Sequence, residues 1–198
     1  MTRKKMLYFI LATVVVAVAY FGWKLTARRA YESAEYTVRQ SDGAFEVREY
    51  PALMMATTNT RFQAQGDDGS FMRLFRYISG ANDADRKVAM TTPVFMQPAV
   101  DDVPGQMGFV IPKKTVEQRI PAPVGGRVQI RERTGGRFAV IRFNGRLTSD
   151  SFTKAEGRLR NRMTSKELTG DANAESAGYD PPWTPAPLRR NEVLIRLQ

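Results

Sequence analysis

Phe45-Glu46-Val47-Arg48-Glu49-Tyr50 alternates apolar and charged side chains and is closed by Pro51, the signature of a β-strand. Gln129-Ile130-Arg131-Glu132 echoes its centre, with Glu46 and Gln129 lying 83 residues apart. Reading outward from the first copy, residues 52–60 form a second strand candidate rich in Met and Thr. Gly66-Asp67-Asp68-Gly69 then breaks the chain, with Asp68 or Ser70 placed to cap the next segment. Phe71, Leu74, Phe75 and Ile78 recur at i, i+3, i+4 and i+7, which predicts an amphipathic helix ending at Gly80. Strands at 87–97 and 106–111 complete this half.

The second copy repeats that order. Residues 128–132 and 138–143 read as strands joined by Thr134-Gly135-Gly136. Ser149 or Asp150 can cap a helix that presents Phe152, Ala155, Leu159 and Met163 on one side. A loop rich in Gly, Ala and Pro leads to a last strand at 192–197. Matched order and spacing predict an internal duplication. Neither half can bury an apolar face alone, so the expectation is α+β: two pseudo-symmetric strand/helix halves joined into one curved sheet or distorted barrel, with two helices packed on it.

The chain has 198 residues, 30 Lys plus Arg, 20 Asp plus Glu, and neither Cys nor His. Those two zeros exclude disulfides, thiolate nucleophiles, Cys/His zinc sites and histidine general bases. The +10 charge is unevenly spread. Arg3, Lys4, Lys5, Lys24, Arg28 and Arg29 lie among the first 30 residues with no acid, leaving 24 bases and 20 acids in the rest. With no clustered basic footprint or reader motif, nucleic acid is not an expected partner.

Those early bases flank an apolar run. Residues 6–23 read MLYFILATVVVAVAYFGW, and eighteen helical residues span roughly 27 Å, close to a bilayer's hydrocarbon core. The division expected is a basic start at 1–5, a transmembrane signal anchor at 6–25, a linker at 26–35 and a single domain at 36–198. The domain is expected as a monomer on the extracytoplasmic side. Secretion after cleavage behind Ala17-Val18-Ala19 is the competing reading, opposed by the apolar run continuing to Trp23.

Five stretches, in order, resemble the SOUL haem-binding protein family. These are 45–50, then Leu74-Phe75-Arg76-Tyr77-Ile78-Ser79-Gly80-Ala81-Asn82, Lys87-Val88-Ala89-Met90-Thr91-Thr92-Pro93-Val94, Gly178-Tyr179-Asp180-Pro181-Pro182-Trp183 and Arg189-Arg190-Asn191-Glu192-Val193. The resemblance implies a distorted antiparallel β-barrel, similar to the effector-binding domains of some bacterial regulators. It also implies non-covalent binding of haem or another tetrapyrrole without catalysis. The histidine ligand proposed for some relatives has no counterpart here, so iron would be held by Met or Tyr or left unligated.

On that resemblance the candidate ligand residues are Phe71, Phe75, Arg76 and Met90. The core is nonetheless the favoured place for Phe71 and Phe75, since amphipathic helices bury such a stripe. Arg73 and Arg76 are expected to be solvated, with Arg76 able to reach a propionate. Met54, Met55, Met90, Met96 and Met107 suit irregular core gaps as well as iron. Arg190-Asn191-Glu192 is expected to form buried ion pairs or turn contacts that close the barrel, and no residue is expected to be catalytic. Two rival functions are a protein-interaction or envelope module on the same fold, and a hydrolase, for which no nucleophile–base set is visible.

Overall fold

The computed structural model describes residues 31–60, 69–99, 103–181 and 183–198, together with 8, 10–16 and 20. The expected anchor, its cleavage site and the Asp68 cap lie largely or wholly outside the described residues, as does the first half of the linker expected over 26–35; in its second half Glu32–Ser33 form a short strand and Ala34 is buried. Residues 10–16 are helical and exposed, and among the described residues no helix is long and apolar enough to cross a membrane.

The elements are β1 (Glu32–Ser33), β2 (Thr37–Asp42), β3 (Phe45–Tyr50), β4 (Leu53–Asn59), α1 (Ser70–Ile78), β5 (Thr91–Thr92), β6 (Val94–Gln97), β7 (Gln106–Val110), α2 (Lys113–Gln118), β8 (Gln129–Arg133), β9 (Gly136–Asn144), α3 (Ser149–Ser165), β10 (Gly170–Gly178) and β11 (Arg190–Leu197). Nine strands form one sheet in the order β2-β3-β9-β11-β10-β6-β7-β4-β8, every neighbouring pair antiparallel. β1 and β5 make a small parallel pair.

The duplication is written in that order. Both halves run strand–strand–helix–strand–strand: β3-β4-α1-β6-β7 and β8-β9-α3-β10-β11. Exchanging each strand for its counterpart reverses the sheet order from β3 to β8 onto itself. The pseudo-twofold therefore passes between β6 and β10, and each half sends its first strand across to pair with the other half's second strand.

The sheet is open, which corrects the expected barrel. β2 and β8 are its two edges and do not pair with each other. Their sequences, TVRQSD and QIRER, are polar and mostly exposed, the composition that discourages further strand addition.

α1 and α3 pack on one face, burying Leu74, Tyr77, Ile78, Phe152, Leu159 and Met163 against Val47, Phe109, Ile141 and Ile195. The opposite face has its own apolar cluster around Tyr50, Phe95, Phe138, Val140 and Leu194. Central strands are thus buried on both sides, which is why β11 is continuously buried from Asn191 to Ile195.

The caps differ from expectation. α1 begins after Gly69 in the left-handed region, φ 80°, while Ser70 lies inside the helix, its Oγ 2.9 Å from Thr60 Oγ1. α3 is capped by Thr148: its Oγ1 accepts from Ser151 N–H, and Ser151 Oγ accepts from Thr148 N–H, a reciprocal capping box. The strand expected over 87–97 is divided into β5 and β6 at Pro93, which lacks a ladder N–H; the Thr92–Pro93 peptide is cis.

Candidate functional site

Helical geometry sorts the residues of α1. At 3.6 residues per turn, Ser70, Leu74, Tyr77 and Ile78 share one arc, and all four are buried. Phe71 falls at its edge and is half-buried. Phe75 falls beyond it, 43% exposed, beside Met72 at 47%. The expected single stripe therefore splits: Leu74 and Ile78 enter the core, while Phe75 leaves it.

Phe71 and Phe75 are brought together as a stacked pair, with ring centroids 6.1 Å apart and planes 13° from parallel. Phe109 supports Phe71 edge-on at 5.3 Å. Arg76 is exposed on the same helix, as expected. Arg73 is not simply solvated, because it donates to Thr58 Oγ1 at 3.1 Å and to the Asn59 carbonyl at 2.6 Å. Met90 stands before β5, half-buried against the helix-side core, as does Met54 on β4, while Met55, Met96 and Met107 are buried. Met72 joins the exposed patch without having been singled out in the sequence, although its i, i+3 relation to Phe75 was the available signal.

The opposite face holds a buried charge network. Arg48 on β3 and Glu192 on β11, 1% and 0% exposed, form a two-bond pair at 2.6 and 2.9 Å. Glu192 also accepts from Tyr179 OH at 2.9 Å and from Arg190 Nε at 2.9 Å, and Arg48 Nε donates to Glu46 at 2.6 Å. Arg48 lies 4.2 Å from the Tyr36 ring, and Arg190 lies 4.2 Å from that of Tyr179.

Burial alone would raise the Glu192 pKa, but the two guanidiniums hold it below the ordinary carboxylate value. Burial pushes the Tyr50 phenol up to about 12 and Tyr179 higher still, helped in both by the Glu192 charge. At neutral pH both phenols stay protonated and Glu192 stays ionised. The cluster is a satisfied lock between β3 and β11. The ion pairs expected of 190–192 are present, and they join strands within an open sheet. Asn191 makes the turn contact, donating to the Gly145 carbonyl at 2.8 Å.

The chain has recognisable relatives. The family model described as SOUL heme-binding protein matches residues 31–196. A protein named Heme-binding protein 1 from Xenopus laevis is 27% identical over 166 residues, covering 78% of this chain and 84% of that protein. Its namesake from Xenopus tropicalis is 26% identical over 165 residues, with the same coverage. Among solved structures, the EcmrR C-terminal domain superposes with TM-score 0.55 at 11% identity, covering 82% of this chain and 98% of that one. A hydrolase from Listeria innocua reaches 0.53 at 10% identity, covering 81% and 94%. At such identities the structural likenesses speak for the fold alone. The family match spans nearly every described strand and both long helices, and on it the chain belongs to the SOUL heme-binding protein family.

Proposed function

We propose that this chain is a membrane-anchored protein that binds haem or a related tetrapyrrole without covalent chemistry, for buffering or transport. The observation that carries the reading is the exposed Phe75, stacked on Phe71 at the rim of the core and beside Met72, an aromatic and thioether surface open to solvent. The name borne by the Xenopus relatives supports the ligand class.

These residues fit a flat amphipathic ring. Phe71, Phe75 and Met72 offer apolar contact to a macrocycle, and Arg76 offers a cation for a propionate. With no histidine or cysteine in the chain, Met72 is the exposed soft donor on α1 itself, and Met90 is a second methionine candidate. Bound haem would bring a redox-active iron and a visible absorption band. The protein's own part is to hold the ring and shield one face of it. The apolar run at 6–25 supports an anchor, with the domain carried as a monomer on the extracytoplasmic side.

Titration with haemin, following the Soret band, tests the site. Phe75→Ala removes roughly 40–60 Å² of ring contact, which at about 25 cal/mol per Å² weakens binding about tenfold. Because Phe75 is half-exposed, the same change costs the fold only about 1 kcal/mol, the scale of one aromatic pair. Arg76→Ala has a smaller, salt-dependent effect. Unchanged haemin affinity in folded Phe75→Ala protein would remove the ring from α1.

A further inference from the structure

Arg133 at the end of β8 is a guanidinium packed among aromatic rings on the helix-free face. Its side chain is 8% exposed, and its central carbon lies 4.3 Å from the Phe138 ring centroid, 4.6 Å from Phe95 and 5.2 Å from Tyr50. Glu175 of β10, 9% exposed, accepts from its Nη2 and, at 3.4 Å, from its Nε. The third nitrogen, Nη1, is buried with no hydrogen-bond partner. Nearly all buried donors are satisfied in folded proteins, and one on a charged group is especially costly to leave unmade.

Arg133 and Glu175 line an open cleft of about 610 Å³, and the adjoining hollow of about 180 Å³ shares both residues. Phe138, Leu194, Val103 and Pro104 give the larger cleft an apolar wall. Arg131, two residues before Arg133 and on the same side of β8, contributes a second guanidinium, with its Nε on Gln129 at 2.9 Å. Arg196 supplies a third, 4.7 Å from the Phe138 ring and donating to the Gly135 and Thr134 carbonyls. Glu132 also borders the cleft, but it sits opposite Met54, which packs into the helix-side core. Its side chain therefore belongs to the other face. Among the described residues, that leaves Asp171 as the rim carboxylate besides the already paired Glu175, against three cations.

We propose that this cleft binds an amphipathic organic carboxylate, whose oxygen accepts from Arg133 Nη1 while its apolar body lies against Phe138 and Leu194. The guanidinium already fills the aromatic cage, so the missing group is an acceptor. The site lies on the opposite side of the sheet from α1 and does not rest on the tetrapyrrole reading.

Calorimetric titration of the full-length chain in detergent micelles, with empty micelles as blank, is the test. The probes are 2-naphthoate and its uncharged isostere 2-naphthamide. Naphthoate is expected to bind at least about tenfold more tightly than the amide. Arg133→Lys keeps the charge beside Glu175 but loses Nη1, and it should weaken naphthoate about tenfold with the fold intact by melting. Arg131→Gln, on the exposed edge, should weaken it less and in a salt-dependent way. Phe75→Ala should leave it unchanged. Equal binding of acid and amide, no naphthoate binding at millimolar concentration, unchanged affinity in folded Arg133→Lys, or loss in Phe75→Ala would each overturn the assignment. The first outcome would mean that Nη1 needs no charged acceptor, and the second that no carboxylate reaches it.

Discussion

Glu192→Gln tests whether the buried network on the helix-free face holds the sheet together. Glu192 accepts five hydrogen bonds, two from Arg48, two from Arg190 and one from Tyr179, while fully buried. Glutamine supplies one acceptor oxygen in place of two and turns an NH₂ group towards a guanidinium. Arg48 keeps Glu46 as a partner, but its charge is then buried beside a neutral group. Breaking a buried pair from one side costs about 3–5 kcal/mol. At about 2–4 °C per kcal/mol for a domain of this size, Tm falls by roughly 6–20 °C. Differential scanning calorimetry of residues 31–198 reads this directly. Arg48→Met combined with Glu192→Leu should be more stable than Glu192→Gln alone, because it removes both charges together. The pH dependence has a definite sign. The native Glu192 pKa lies below its ordinary value of 4.5, so its stabilisation is complete above that value and is lost as pH falls through the native one. The variant should lack that component of the acid transition. A Tm within 2 °C of the parent, with the same acid profile, would refute the reasoning.

The remaining expectations concern caps, close contacts and the domain boundary. Thr148→Ala removes the α3 capping box and should cost about 1 kcal/mol, or roughly 2–4 °C in Tm, by the same calorimetry. Gly135→Ala should cost at least about 1–3 kcal/mol by urea unfolding, because its Cβ would stand 2.7 Å from the backbone of Tyr50, Pro51 and Ala52, which cannot swing aside as a side chain can. Both apolar clusters are drawn from Ala34 to Leu197. Residues 31–198 should therefore remain in the soluble fraction, while the full-length chain sediments with membranes and resists carbonate extraction.

Periodicity alone revealed what depended on local pattern. β3 matches its expected limits, β4 and β7 differ by a residue at their ends, α3 buries all four anticipated residues, and α1 buries Leu74 and Ile78 of its expected face. β10 was hidden because GDANAESAG holds no β-branched or aromatic residue, and residues 170–178 read as loop. Its strand state is imposed from outside, by β11 on one side and β6 on the other. The same blindness concealed the Arg48 partner of Glu192 and the whole Arg133–Glu175 pair. Arg48 and Glu192 are 144 residues apart, and Arg133 and Glu175 are 42 apart. They meet only once the strand order is known. At the α1 face the residues were legible but their exposure was not, since four residues advance a helix only about 40° past a full turn, and that offset carries Phe75 out of the buried arc at whose edge Phe71 lies.

The position of β11 sets a timetable for the newly made chain. Residues 190–197 fill the middle of the sheet between β9 and β10, so those strands keep open hydrogen-bonding edges until β11 itself has been made. The sheet can close only once β11 is available, through contacts distant in sequence, which makes folding slow. The β9 edge at Val140, Ile141 and Phe143 stays unpaired in the interval, a window in which a holding chaperone or a neighbouring nascent chain competes for the same edge.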